Sequence, residues 1–140
     1  MDQPFQSRYW SKKFKLPLKN NSDCNSSGVI YIIKCKKCKC FYIGESSRTI
    51  TTRIKEHLYS INSFIPYSKH TPVSCHFNLP SHNKDKDFLF TIYQSNIANN
   101  FERRLVERKL IMQLLFHNIN LINIDTSSSI YLNNFNILLW

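Results

Sequence analysis

The stretch that decides the fold is VIYIIKCKKCKCFYIG, residues 29–44. Its first six residues, 29–34, are β-branched and aromatic, which predicts a strand, and their aliphatic character is typical of a central one. Residues 41–44 (FYIG) predict a second strand. The linker between them is short and contains turn-forming material. We therefore expect the two strands to form a hairpin.

A helix is predicted over residues 49–61, where apolar side chains recur at helical spacing. The apolar stripe consists of Ile50, Ile54, Leu58 and Ile61. Three residues could cap the start of the helix: Ser46, Ser47 and Thr49. Arg53 and His57 fall one helical turn apart on the edge of the stripe. The far side of the helix carries Lys55, Glu56 and Tyr59.

The second half of the chain adds a strand and a long helix. Residues 62–87, which contain three prolines, predict a loop, and residues 88–93 predict a third strand. Residues 100–116 predict a helix that is apolar around much of its circumference and so well buried, and residues 121–125 a last short strand. This order predicts an α+β fold, with a small antiparallel or mixed three-stranded sheet flanked by helices.

The segments outside this unit differ from it in composition. Residues 1–27 predict a basic, largely irregular arm, residues 28–125 one domain, and residues 126–140 an apolar tail without an assigned role. The chain has no apolar signal-peptide region and no apolar run of the ~18 residues that a membrane span needs. We therefore expect an intracellular protein with reduced cysteines, which serve as metal ligands or core residues.

The charge balance indicates the class of partner. The chain has 19 Lys and Arg against 9 Asp and Glu, a formal net charge of +10. Such an excess attracts polyanions, and phosphate backbones are the most common ones. A phosphate-cradling glycine loop, a G-x-S-x-G elbow and an H-E-x-x-H helix are all absent from the sequence. The familiar ATPase, hydrolase and zinc-protease classes therefore have no support.

Polar groups occur where burial makes them costly. Tyr31 lies inside the first strand, Tyr42 starts the second, and Glu107 lies on the apolar helix, where a carboxylate needs a partner or a metal. Taken singly, each has an ordinary structural explanation. The tyrosines could be core residues, Arg53 could extend to solvent, and Glu107 could pair with Arg103 or Arg104.

Taken together, these residues resemble the signature of GIY-YIG nucleases. Tyr42 follows Tyr31 by 11 positions and Arg53 follows Tyr42 by 11, both as in that family, with Glu107 on a late helix. Val29 stands where the family has Gly, with Gly28 one position earlier. A narrower resemblance, to the endonuclease domain of Penelope-like retroelements, covers residues 24–125. It rests on CNSSGVIYIIKCKKC, FYIGESSRTITTRIKEH, CHFNLPSH, DFLFTIY and ERRLVERKLIMQL, in that order.

The resemblance implies a nuclear endonuclease that hydrolyses phosphodiester bonds in DNA. Glu107 would hold one Mg²⁺ or Mn²⁺, and Arg53 would contact the phosphate. Tyr31 would deprotonate or orient the water, with its pKa lowered by nearby cations, while Tyr42 and His57 would bind the phosphate or pass protons. The cations expected to face nucleic acid are Lys36, Lys37, Lys39, Arg48 and Lys55.

A structural zinc site is also predicted. Cys35 and Cys38 lie in the turn between the two motif strands, and His76 and His82 follow later, a donor set that can close a tetrahedral site. The resemblance to Penelope-like domains implies a comparable set. Other donors nearby are Cys24, Cys40, Cys75 and His70. The alternative is a hairpin with unmetallated thiols.

Two other functions remain open from the sequence. The chain could be a zinc-stapled module that binds nucleic acid without cutting it. It could also be an interaction domain that docks through residues 130–140. Target preference, DNA against RNA and oligomeric state cannot be read from the residues.

Overall fold

The computed structural model describes residues 23–66 and 68–123. Its elements are β1 (Val29–Cys35), β2 (Phe41–Ser46), α1 (Ile50–Asn62), α2 (Pro72–Phe77), α3 (Lys84–Asp87), β3 (Phe88–Gln94) and α4 (Asn100–Phe116). The strands form one sheet in the order β2-β1-β3, and both neighbours run antiparallel to β1. The predicted α+β class is confirmed, with the antiparallel form of the sheet. Residues 1–22 and 124–140, which include most of the predicted arm and tail, lie outside the described residues.

Strand β1 is buried on both faces because helices cover the sheet on both sides. Ile30 and Ile32 point to the core that packs against Leu110 and Leu114 of α4. The alternate residues, Tyr31 among them, point to a second core built with α1 and α2. The period-2 alternation of a strand thus places Tyr31 on the α1 side.

Helix α1 begins where its sequence predicts. The side chain of Thr49 accepts a hydrogen bond from the backbone N–H of Thr52, which caps the first turn. The residues buried on α1 are Ile50, Ile54, His57 and Ile61. Because His57 is one turn after Arg53, docking of the apolar stripe brings both side chains to the sheet.

The loop-rich segment 62–87 contains two short helices, α2 and α3, that the sequence does not predict. Thr71 caps α2, and Pro72 occupies its first turn, where a missing N–H costs nothing. Asn83 caps α3 in the same way. Short helices with proline at the start lack the long apolar period that predicts a helix from sequence.

Helix α4 is less buried than predicted. It packs on one face of the sheet, and only Arg103, Leu110, Ile111 and Leu114 are buried. Phe101 and Phe116 are 73% and 83% exposed. The prediction counted the apolar side chains around the helix, but within the described residues only one side of it meets the sheet.

The predicted last strand, residues 121–125, is reduced to a single bridge within its described part. Leu121 pairs with Phe41 in parallel fashion. Beside it, the side-chain amide of Asn123 accepts from the N–H of Ile43 and donates to its carbonyl, both at 2.8 Å. These contacts cover part of the outer edge of β2, which would otherwise expose free backbone groups.

Candidate active site and metal cluster

The centre of the candidate active site is the buried hydroxyl of Tyr31. The Nε of Arg53 donates to this oxygen at 3.0 Å, and the oxygen lies 2.7 Å from Nε2 of His57. An arginine can only donate, so the oxygen of Tyr31 accepts the bond from Arg53. The direction of the bond between Tyr31 and His57 depends on which ring nitrogen of His57 carries the proton.

Gly44 makes room for the ring of Tyr31. The two residues face each other across the β1–β2 ladder. A Cβ at Gly44 would lie 2.4 Å from both Cζ and the hydroxyl oxygen of Tyr31. The rings of Tyr31, Tyr42 and His57 then form a cluster, with Tyr42 centred 6.3 Å from Tyr31 and 5.6 Å from His57.

Burial determines the protonation of this cluster. It lowers the pKa of His57 to about 4, and the nearby charge of Arg53 acts in the same direction. The expected lowering of the Tyr31 pKa is wrong: burial and the neighbouring Tyr42 raise it far above its ordinary value, although Arg53 opposes them. Desolvation of a phenolate deep in the sheet outweighs a single cation. Both groups are therefore neutral near pH 7.

Arg53 does not extend to solvent but is held in place by two partners. Besides its bond to Tyr31, its Nη1 donates to Glu56 at 2.9 Å. Glu56 also binds Arg48 through both carboxylate oxygens. The bond from Arg53 lowers the pKa of Glu56, as does Arg48. The helical spacing predicts Glu56 on the far side of α1, but its place three residues after Arg53 brings the two side chains together.

Glu107 does not pair with Arg103 or Arg104, the two partners that the sequence left open. Arg103 instead pairs with Glu45 and donates to the carbonyl of Ile97 at 2.9 Å. Within residues 23–66 and 68–123, the Glu107 carboxylate makes neither a hydrogen bond nor an ion pair. Burial raises its pKa to about 7, Glu45 adds to this, and the cations of Arg104, Arg108 and Arg53 oppose it.

The surroundings of Glu107 fit a divalent cation. A desolvated carboxylate without a bonded partner is costly, and a hard cation with oxygen ligands removes that cost. The charge of Glu107 raises the pKa of Tyr31, and Arg53 acts against the raised pKa of Glu107, so the three groups lie within electrostatic reach of one another. Glu45 is a second carboxylate that acts on Glu107, and local spacing does not reveal it, because its pairing with Arg103 joins distant parts of the chain.

A second cluster of ligands lies at the end of the hairpin. The donor atoms of Cys35, Cys38, His76 and His82 all lie within 4.8 Å of one another, so the cluster could hold a metal ion. These are the four residues that the sequence predicted. Lys39 adopts the left-handed conformation, with φ 58°, at the place where such turns often have glycine.

The histidine geometry prepares this cluster for a metal. Nδ1 of His82 donates to the carbonyl of Pro80 at 3.1 Å, which leaves Nε2 with a lone pair 2.9 Å from the sulfur of Cys38. Such a bond from the second ring nitrogen orients metal-binding histidines generally. Burial raises the pKa of Cys35, so without metal it is a thiol, and metal binding would release its proton.

The remaining Cys and His candidates do not belong to this cluster: Cys24, Cys40, Cys75 and His70. His70 instead bonds to the backbone of Ile65 and stacks on Phe64.

The predicted nucleic-acid cations fall into two groups. Lys36, Lys37 and Lys39 are exposed around the turn of the metal cluster, where Lys37 donates to the carbonyl of Ser81. Arg48 and Lys55 lie beside Arg53, at the start and on the outer side of α1. One group lies near Cys35 and the other near Tyr31, and these two residues are four positions apart on the same face of β1. The two groups of cations are therefore separated by about 13 Å along the strand.

The tyrosines of the β1–β2 hairpin, Arg53 and His57 of α1 and the carboxylate of Glu107 on α4 are side chains of the kinds that a metal-dependent nuclease uses. A model of the GIY-YIG catalytic domain matches residues 27–114, more than half of the chain. The chain therefore belongs to the GIY-YIG catalytic domain family, whose nucleases use divalent metals. Comparison with curated proteins and with solved structures returned no match. Among the described residues, no helix has the length and apolar character to cross a membrane.

Proposed function

We propose that this chain is an active endonuclease that hydrolyses phosphodiester bonds in DNA with one Mg²⁺ or Mn²⁺. The observation that carries the proposal is the pairing of two features around Tyr31. One is the hydrogen-bonded set of Tyr31, Arg53 and His57. The other is the partly buried carboxylate of Glu107, which acts electrostatically on that set.

Glu107 and Arg53 would act on the phosphate. A cation held by Glu107 supplies positive charge against the developing charge of the phosphate. Arg53 is fixed by Tyr31 and Glu56, while its Nη2 bonds to no group among the described residues and is left for a phosphate oxygen. A planar guanidinium that is held on one side binds the phosphate at a defined angle.

Tyr31 and His57 would move the proton of the attacking water. Tyr31 is neutral, so it cannot take this proton as a phenolate. Its oxygen instead accepts the water proton while its own proton passes to Nε2 of His57 along the 2.7 Å bond. His57 becomes an imidazolium and Tyr31 ends as it began. Tyr42, with its ring against both, is placed to donate a hydrogen bond to the phosphate.

Several features support DNA as the substrate and a retroelement-type domain. The net charge of +10 and the exposed lysines 36, 37 and 39 suit a phosphate backbone. The four-ligand cluster suits Zn²⁺, because two thiolates and two imidazoles make a closed structural site. Together with the ordered tyrosine and Cys/His motifs, this supports a Penelope-like nuclease that acts in the nucleus.

The test is plasmid nicking by the purified chain with Mg²⁺ or Mn²⁺, beside Glu107→Ala. We expect the wild type to convert supercoiled DNA and Glu107→Ala to bind DNA without converting it. The matched control is Glu102→Ala, which removes an exposed carboxylate from the same helix and should cut normally. If the wild type binds DNA and zinc but cuts nothing, the chain is a zinc-stapled binding module.

A further inference from the structure

One aromatic side chain on α1 faces away from both cores. Tyr59 is 73% exposed, whereas Ile50, Ile54 and Ile61 of the same helix are buried. A large exposed ring has no role in holding this helix to the sheet. Such a ring is instead a flat apolar surface that remains free to meet a planar ligand.

Tyr59 lies on a shallow surface groove along α1 that also includes Arg53 of the candidate active site. The groove is open to solvent, has a volume of about 550 Å³, and is lined by residues of α1 alone: Thr52, Arg53, Lys55, Glu56, Tyr59 and Ser60. We call it the Tyr59 groove. Its lining joins the guanidinium that would hold the phosphate to an exposed cation and an exposed ring.

The spacing within the groove suits a nucleotide chain. Tyr59 is six residues after Arg53, which is about 9 Å along a helix axis. That distance corresponds to two or three steps of a stacked strand at about 3.4 Å per nucleotide. Lys55 is one turn before Tyr59, so the two side chains lie on the same side of the helix, and both line the groove.

We propose that the Tyr59 groove is a nucleotide subsite in which Tyr59 stacks on an unpaired base within three nucleotides of the phosphate at Arg53. Lys55 binds the phosphate of that nucleotide. The proposal rests on the proposed function, because it takes Arg53 as the ligand of the phosphate that is cut. Rings and cations interleaved along a groove are the usual means of binding a single strand.

This subsite defines the class of substrate. A base inside a duplex has both faces covered by its neighbours, so an aromatic side chain can stack only on a base that is unpaired. The preferred DNA therefore carries an unpaired nucleotide beside the cut, as in a flap, a gap or a bulge. A fully paired duplex would use Arg53 and the metal ligand but leave the Tyr59 groove empty.

The test compares cleavage of two DNA duplexes that differ only by a three-nucleotide bulge. The cut is first mapped on the bulged DNA, and single abasic residues are then placed at each of the three positions on either side. Four proteins are compared: the wild type, Tyr59→Ala, Tyr59→Phe and Phe101→Ala. Phe101 is the matched control, because it is also 73% exposed but lies on α4.

We expect Tyr59→Ala to lower kcat/KM on the bulged DNA about 5- to 100-fold, the range for loss of one stacked base. Its rate on paired DNA should stay within about 2-fold of the wild type. Tyr59→Phe and Phe101→Ala should cut as the wild type does. An abasic residue at one position should reproduce the loss in the wild type and add nothing to Tyr59→Ala. Equal rates for wild type and Tyr59→Ala on bulged DNA would overturn the subsite.

Failure of the nuclease and failure of the subsite give different results. If the wild type cuts no DNA, the proposed function fails, and the same comparison is made on dissociation constants from fluorescence anisotropy with Ca²⁺. If Tyr59→Ala binds the bulged DNA more weakly than the wild type does, and an abasic residue at one position removes this difference, the subsite is supported. Equal binding by both proteins overturns it.

Discussion

Gly44→Ala is a small change with a large expected effect, because a single methyl group would meet the side chain of Tyr31. The new Cβ would lie 2.4 Å from two atoms of that side chain, whereas carbon atoms in contact are about 3.5–4.0 Å apart. The backbone of Gly44 is not in the left-handed region, so alanine itself is compatible with the strand. The steric overlap therefore determines the sign of the effect.

The ring of Tyr31 has to move by about 1 Å or more to accept this methyl group. Its hydroxyl is held by His57 at 2.7 Å and by Arg53 at 3.0 Å, so movement breaks or weakens both bonds. Each lost bond costs about 1 kcal/mol, and overpacking adds about 1–3 kcal/mol. Alanine in place of glycine returns only about 0.4–1 kcal/mol. We expect a net loss of about 2–4 kcal/mol in the free energy of unfolding.

The assay is urea unfolding followed by circular dichroism, in the wild type and in a Tyr31→Leu background. Leucine keeps an apolar side chain but lacks the two atoms, Cζ and the hydroxyl oxygen, that the new methyl group would meet. In that background Gly44→Ala should be neutral or slightly stabilising, which gives a coupling of at least about 2 kcal/mol. An equal loss in both backgrounds, or no loss in the wild type, would refute the steric argument.

Three further predictions concern the metal cluster, the buried histidine and the arginine. Cys38→Ser should lose bound zinc, as measured by metal analysis, and about 4 kcal/mol in the free energy of unfolding by urea at zinc concentrations about 1,000-fold above Kd. The control is Cys24→Ser, which changes an exposed cysteine outside the cluster and should keep both the zinc and the stability. Because the pKa of His57 falls from 6.5 to about 4 on folding, the unfolded chain binds the proton first and stability is lost as the pH falls below 6.5. At about pH 5 this loss should be about 2 kcal/mol in the wild type and absent from His57→Gln, so equal pH dependence of unfolding in both proteins would contradict it. Arg53→Lys loses the planar guanidinium and should cut about 100-fold more slowly in a nicking assay, while its Kd for DNA changes less than about 3-fold. If binding weakens in parallel with cutting, Arg53 only attracts the substrate.

The three strands and the two long helices could be predicted because each has a local signal. Residues 29–34 are strongly β-forming, and the apolar residues of α1 recur at helical spacing after a threonine cap. The four residues of the Cys/His cluster, which could hold a metal ion, could be predicted from residue type and spacing. The exposure of much of α4 could not be predicted, because the composition of a helix does not tell how much of it the rest of the chain covers.

The electrostatics of the site were harder to predict than its residues. The sequence places cations near Tyr31, which led to an expected fall in its pKa, but burial in the central strand dominates and raises it. The pairing of Arg103 with Glu45 joins residues 58 positions apart. Local spacing instead favoured a bond from Arg103 to Glu107, which lies one turn away on the same helix.

That pairing bears on how Glu107 can hold a cation. Glu45 and Glu107 repel each other, which helps to raise the pKa of Glu107 to about 7. Arg103 is nearly buried and neutralises Glu45, so a cation at Glu107 meets one free carboxylate and one that is already paired. Among the described residues, the site therefore combines the unpaired carboxylate of Glu107 with the cation of Arg53, and a metal ion held there would have coordination positions left for a phosphate and a water.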